Sequence, residues 1–250
     1  MPYGLYISAE GARAQASRLE TLANNLANVD TPGFKRDLSI FQARLTEATQ
    51  QGRDFPGSRS VNDLSGGVRV RETTTDFSPG TMRRTDLPTD MAINGEGFFV
   101  VQKGTDKLLT RAGNFQLTGN GTLVTQDGQA VMSDAGNPVV IDPDAGPWHI
   151  TPDGSVDQNG DVTPLAMVKP KSYGDLVKVG DNNFSALAAP TPLAPEERQV
   201  SAGYLEMSGV KPTLEMMDLI ESSRGFEANT NLIRNQDQML SSLVNRLLKA

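Results

Sequence analysis

Apolar residues recur along this chain with two different periods, and the change of period divides it. Leu5, Ala9, Ala12, Ala16, Leu19, Ala23 and Leu26 advance by alternating steps of four and three, which is the narrow seam of a coiled coil. Near the other end Leu219, Phe226, Ile233, Leu240 and Leu247 repeat every seven residues. Periodicity alone leaves two readings open: an amphipathic helix packed on its own domain, or an assembly seam that pairs with the opposite terminus or with a neighbouring copy. Between the two seams the helical period disappears.

The first helix is predicted over about Tyr3–Asn28. It should stop at Asp30-Thr31-Pro32-Gly33, where proline removes a donor and glycine permits positive φ. A shorter helix is expected over Leu38–Ala48, and residues 51–67, rich in Gly, Ser, Arg and Asp, read as a loop or linker. From Val68 to about Phe184, short β-branched and apolar runs alternate with turn formers such as Gly119-Asn120-Gly121 and Asp127-Gly128, the texture of an all-β domain. The Ala186–Pro195 stretch is too proline-rich for a helix or a central strand and reads as an extended connector. A last helix should begin near Pro212-Thr213 and run to about Leu248, with proline tolerated at its start. Gly225 inside it costs roughly 0.5–1 kcal/mol relative to Ala.

The expected fold class is therefore α+β. Long N- and C-terminal helices form a coiled-coil-like layer, and a central all-β domain is built of many short strands. The expected division is a helical segment at 1–36, a short helix and linker at 37–67, the β-domain at 68–185, the connector at 186–204 and a helical segment at 205–250. The terminal helices would be about 35–40 and 50–55 Å long. Helices of that length need a packing partner, because propensity alone stabilises them little.

Composition narrows what such a chain does. Its net charge is −7, with 23 Lys and Arg against 30 Asp and Glu, so no basic surface is available to neutralise phosphates and nucleic acid is not an expected partner. The acidity lies in the interior. In residues 1–36 Arg13, Arg18, Lys35 and Arg36 outnumber Glu10, Glu20 and Asp30 by one, and residues 210–250 balance. There is no cysteine, which removes disulfides, thiolate metal sites and thiol nucleophiles. The N-terminus has no basic region leading into an apolar core and a small-residue cleavage site, and no apolar run approaches membrane-spanning length. Export, if it occurs, is expected to use a route without a cleaved signal peptide.

Candidate chemistry is sparse. His149, the only histidine, has no second histidine for a two-His metal site, and no nucleophile elbow or phosphate-cradling glycine loop is present. Asp157, Asn159 and Asp161 alternate as in a calcium loop. Val162 stands where the required glycine should be and no bidentate glutamate follows, so a β-turn is the better reading. Asp86/Asp90 and Asp142/Asp144 sit in proline-rich turns without the apolar surround that shifts a carboxyl pKa. No catalytic, metal or cofactor residue is assigned. The first helix is more informative: its alanines make one side of the seam thin, and Asn24, Asn25 and Asn28 crowd its end, where amides can cap carbonyls or fix register as buried asparagines do in coiled coils.

Leu22-Ala-Asn-Asn-Leu-Ala-Asn28 followed by Thr31-Pro-Gly-Phe-Lys-Arg36 closely resembles the N-terminal signature of the flagellar rod and hook axial proteins. The motif positions are Asn24, Asn25, Leu26, Asn28, Thr31, Gly33 and Phe34. Ile93-Asn-Gly-Glu-Gly-Phe-Phe-Val-Val101, with Ile93, Asn94, Gly95, Gly97, Phe98 and Phe99 as its defining positions, is similar to that family's central segment. Thr110–Phe115, Gly121–Thr125, Gly203–Glu206 and Glu215–Leu240 resemble further family stretches in the family's order. Within the family, Trp148–Phe184 looks more like the proximal-rod type than the distal-rod type.

The resemblance implies a structural subunit of the bacterial flagellar basal-body rod, exported through the flagellar type III apparatus. Its implied partners are copies of itself and other rod and hook axial proteins, with no nucleic acid, no membrane insertion and no cofactor. Two rival classes share the all-β texture, a secreted polysaccharide hydrolase and a non-polymerising binding module, and neither accounts for seams at both termini.

Overall fold

The computed structural model describes residues 3–45, 47–55 and 66–248, and the chain forms two compact units. The first gathers helix α1 (Tyr3–Ala27), strand β1 (Asp37–Ala43), the one-turn helix α2 (Glu47–Gln50), strand β2 (Val68–Thr75) and helix α3 (Pro212–Leu247). Strong helix formers dominate α1, which ends at the Asp30–Gly33 turn cluster. As expected, α3 begins with proline at its first positions, and Glu215 complements the positive end of its dipole. The two helices pack against each other, and α1 also packs on β1 and β2.

Two expectations are corrected here. The segment Leu38–Ala48 was expected to be helical, yet most of it is strand β1. It pairs antiparallel with β2 from Asp37 opposite Thr75 to Ala43 opposite Val68, with a bulge between Ile40 and Phe41. The β-branched partner Val-Arg-Val-Arg-Glu-Thr-Thr-Thr outweighs the weak helical preference of so short a run. For the same reason β2, expected to open the β-domain, lies instead in the helical unit. Much of the predicted linker at 51–67 falls outside the described residues.

The second unit comprises Asn28–Arg36 and Phe77–Val210. In chain order its strands are β3 (Met82–Arg84), β4 (Met91–Ile93), β5 (Phe98–Lys103), β6 (Asp106–Thr110), β7 (Gln116–Leu117), β8 (Leu123–Val124), β9 (Ala130–Val131), β10 (Trp148–Ile150) and β11 (Ser155–Gln158). There follow β12 (Asp161–Pro164), β13 (Met167–Lys169), β14 (Leu176–Gly180), β15 (Asn183–Ala186), β16 (Thr191–Pro192), β17 (Val200–Ala202) and β18 (Tyr204–Glu206). The main sheet has nine strands, in the order β14-β15-β6-β5-β9-β8-β7, with β13 joining β5 and β16 joining β13. A three-stranded sheet runs β10-β11-β12, and the pairs β17-β4 and β18-β3 complete the unit.

Strand β5 explains why its sequence is an unbroken apolar run. Phe99 and Val101 face a large core with Met91, Leu123, Val131, Leu165 and Met167. Phe98 and Val100 face a second core with Leu109, Met132 and Phe184. A strand buried on both faces has no polar alternation to show. In the second core the rings of Phe77, Phe98 and Phe184 stand 5.3–5.9 Å apart, within the range where tilted and edge-to-face pairs attract.

The expected connector is also corrected, because 186–204 is part of this unit. Thr191-Pro192 forms an edge strand on β13, where proline is tolerated, and β17 pairs β4 from Val200 opposite Ile93 to Ala202 opposite Met91. Leu193 and Val200 are core residues. Buried Arg198 donates to the carbonyls of Leu193 and Leu165 and pairs with Asp134 at 2.7 Å.

Candidate functional site

In the helical unit α1 and α3 run antiparallel, and at three places a carboxamide of one helix lies over a glycine of the other. The Gln236 carboxamide lies over Gly4, that of Asn229 over Gly11, and that of Gln15 over Gly225. The last contact gives the helix-interior glycine a role, since Gln15 occupies the space beside its backbone. Arg18 approaches Asp218 at 3.6 Å. Among the predicted seam positions Ala12 is buried, Leu5, Ala9, Ala16, Leu19, Leu26, Leu219, Phe226 and Ile233 are half-buried, and Ala23 and Leu240 are exposed; the Leu247 side chain lies outside the described residues. On α3, Met217, Ile220, Leu232, Met239, Leu243 and Val244 are all at least half-exposed, more uncovered apolar surface along one helix than isolated exposed residues supply.

Asn25 stands where these elements meet. Only 1 % exposed, it donates to the Asp37 carbonyl and accepts from the Asp37 N–H, both at 2.9 Å, in the manner of a β-bridge. It also donates to the buried Glu215 carboxylate at 3.4 Å. Asn24 is exposed, and Asn28 accepts from the Thr31 hydroxyl at 3.2 Å.

The second unit owes one of its edges to the motif Thr31–Arg36. Gly33 has φ +68, and a Cβ there would lie 2.4 Å from the Arg111 carbonyl carbon, so only glycine fits. Its N–H donates to the Glu206 carbonyl at 2.7 Å. Phe34 is buried beneath the Lys178 ammonium, 4.5 Å from its ring centroid. Lys35, 1 % exposed, places Nζ 2.7 Å from Glu206 Oε1 and 2.9 Å from the Ser78 carbonyl. Glu206 further accepts from the Gly80 N–H at 2.9 Å and from Arg111 Nη1 at 3.3 Å. Arg111 Nη2 donates to the Gly95 carbonyl at 2.6 Å, and its guanidinium lies over the Phe98 ring. Burial lowers the Arg111 pKa from its ordinary value, and Glu206 opposes that shift.

Two cations and one carboxylate are therefore closed in together, each hydrogen-bonded. That arrangement clamps segments and leaves no open face for a reactant. The central motif serves the same clamp. Ile93 pairs with Val200, the Asn94 N–H donates to the Gln199 carbonyl at 2.8 Å, the Gly95 carbonyl receives Arg111, and a Cβ on Gly97 would lie 2.7 Å from Leu193 Cδ1. Phe98 and Phe99 are fully buried on opposite faces of β5.

Of the polar residues weighed for chemistry, Asp86, Asp142, Asp144 and Asp161 are exposed, whereas Asp90, for which no apolar surround was expected, is buried, its N–H donating to the Leu87 carbonyl and its carbonyl accepting from the Gly203 N–H. His149 is exposed, 3.7 Å from Asp157. Asn159 and Gly160, both at positive φ, form the tight turn between β11 and β12, with the Gly160 N–H donating to Asp157.

Residues 5–35 match the flagella basal body rod protein family, 92–158 the flagellar hook protein FlgE/F/G D1 domain, and 201–247 the flagellar basal body rod FlgEFG protein C-terminal region. The chain is 34% identical over 251 residues to the flagellar basal-body rod protein FlgF of Caulobacter vibrioides, covering 100% of this chain and 99% of that one. The chain belongs to the flagellar basal-body rod protein family. Rod proteins of the FlgG kind are similar at nearly the same level. Those of Bacillus subtilis and Buchnera aphidicola from Schizaphis graminum are 32% and 33% identical, each over 96% of this chain and 97% of the relative.

Within this rod family chain, the sequence motifs contained the clamp without revealing it. Lys35, Arg111 and Glu206 each fall in a motif that resembles the family, but Lys35 and Glu206 are 171 residues apart and Arg111 and Glu206 are 95 apart. No local period reports such a meeting. The one available signal was an arginine and a glutamate, Arg111 and Glu206, each set among apolar and glycine residues where a solvated charge is out of place; Lys35, followed by Arg36 and Asp37, carried none.

Proposed function

We propose that this chain is a structural, non-catalytic subunit of the flagellar basal-body rod that polymerises through its terminal helices into a torque-transmitting tube. The observation that carries the reading is the apolar surface that α3 leaves uncovered. Met217, Ile220, Leu232, Met239, Leu243 and Val244 remain exposed to meet neighbours. The Leu/Ala column of α1 and the heptad column of α3 form the rest of that interface. Contacts that do not close on themselves generate helical tubes, as a rod requires.

The partners in this reading are further copies of the chain and other rod and hook axial proteins, reached after export through the flagellar type III apparatus. Terminal helices that gain their burial from neighbours stay unfolded during passage through a narrow channel. A proximal-rod position is supported by the end-to-end alignment with the Caulobacter FlgF over 251 residues, against 263 and 265 aligned positions for the two FlgG relatives.

The test is Leu19→Asp and, separately, Leu240→Asp in cells that lack the native chain. Each is expected to abolish motility and leave basal bodies without a complete rod, while Trp148 fluorescence of the purified variant shows the β-unit folded. Motile cells with normal rods from either variant would overturn the proposal.

A further inference from the structure

The contacts between α1 and α3 repeat along both helices. Each step up α1 is matched by an equal step down α3: Gly4 meets Gln236, Gly11 meets Asn229, Gln15 meets Gly225 and Asn25 meets Glu215. Gly4, Gly11, Arg18 and Asn25 are spaced by one heptad, and so are Glu215, Ser222, Asn229 and Gln236. A pairing with matching repeats on both sides has a competitor displaced by one heptad, about 10.5 Å along the axis. In that arrangement Gly4 faces Asn229, Gly11 faces Ser222 and Arg18 faces Glu215, so glycine still meets a small or carboxamide residue and Arg18 exchanges Asp218, 3.6 Å away in the observed register, for Glu215.

The middle of the interface does little to choose between the two. Among the described residues Gln15 Oε1, Ser222 Oγ and Gln236 Oε1 are buried without a hydrogen-bond partner, so the observed register is not fixed by saturated polar contacts there. The contact that does not repeat is at the end. Asn25 holds both backbone groups of Asp37 and the carboxylate of Glu215, and a one-heptad shift would carry Asn25 beyond Pro212, the first residue of α3.

We infer that Asn25 is the register-setting residue of the terminal helix pair: by joining the start of β1 to the first turn of α3, it selects this pairing over the one in which Arg18 takes Glu215. This deepens the rod-subunit reading, since a subunit whose helices slipped by a heptad would present its exposed apolar surface one heptad out of place to its neighbours.

The chain has no cysteine, so introduced pairs report register without background. Gly11→Cys with Asn229→Cys reads the observed register, and Gly11→Cys with Ser222→Cys reads the slipped one. Oxidation with copper phenanthroline is carried out on full-length chain in isolated basal bodies, where the rod reading has the helices folded, and on the purified full-length protein should the chain be absent from them. With Asn25 present the 11/229 pair is expected to cross-link within one chain in large excess over 11/222. Asn25→Ala is expected to lower that ratio by about tenfold, the factor that one charge-assisted hydrogen bond supplies.

An unchanged ratio on Asn25→Ala overturns the inference. So does loss of both cross-links, which would mean that Asn25 holds the helices together rather than choosing their register, and so do cross-links that join two chains. Absence of the chain with native Asn25 from basal bodies sinks the rod reading instead, and the ratio in the purified protein then decides the register alone.

Discussion

Replacing Glu206 by glutamine keeps the shape of the side chain and removes the buried negative charge that pairs with both Lys35 and Arg111. Both cations are buried, and Glu206 Oε1 alone receives Lys35 at 2.7 Å and the Gly80 N–H at 2.9 Å. Removing one partner of a buried ion pair leaves the others uncompensated and costs about 3–5 kcal/mol. With a urea m-value of about 2 kcal/mol/M for a domain of this size, the unfolding midpoint should fall by about 1.5–2.5 M. Trp148, the only tryptophan, packs against the first core of the β-unit, so its fluorescence reports that unit. Two companions sharpen the assay. Lys103→Met, which breaks the exposed pair with Asp181, should leave the midpoint where it was. Lys35→Met in the Glu206→Gln background should cost less than the two single changes together, because one of the stranded cations is gone. A Glu206→Gln midpoint within about 0.3 M of the native one would refute the clamp.

Two further outcomes follow from the same geometry. Gly33→Ala forces a Cβ to within 2.4–2.6 Å of the Arg111 and Ala112 backbone at a φ of +68, and should destabilise the β-unit by more than about 2 kcal/mol in the same urea titration; a smaller loss would show that the segment does not dock as described. In hydrogen exchange on the unassembled chain, the proposed assembly-coupled folding predicts fast exchange over 3–27 and 212–248. The Gly33 amide, bonded to Glu206 within the β-unit, should exchange slowly with the β-strands. Fast exchange at Gly33 would place the boundary of the folded part beyond it.

That boundary shows where local reading succeeds and where it fails. The terminal helices were legible because 25 and 36 consecutive residues carry a helical period, the first stopped by the Asp30–Gly33 turn signal and the second opened by Pro212. The short strands with Asn-Gly and Asp-Gly turns were legible for the same reason, since turn chemistry is local. Leu38–Ala48 was misread because a short apolar run has no period of its own, and its state was fixed by a strand some thirty residues away. The connector was misread because prolines tolerated at a sheet edge look the same in sequence as prolines in a free linker. Asn25 was visible as an asparagine at an apolar seam, a hint of register control, but its partners Asp37 and Glu215 were not.

The sequence by itself determined the class of the protein: two long helices around a β-rich middle, no cysteine, no constellation for catalysis, and motifs that match the flagellar basal-body rod protein family. Those features rest on local periodicity, composition and contiguous motifs, which a linear chain displays directly. Only the tertiary structure decided that Asn28–Arg36 belongs with the β-strands rather than with the helix it follows, that Lys35 is buried on Glu206 beside Arg111, and that Gly4, Gly11 and Gly225 each lie under a carboxamide of the opposing helix. Each of these is a pairing of side chains far apart in the chain, and the favourable energy of such a pairing arises only once folding has removed water from both partners.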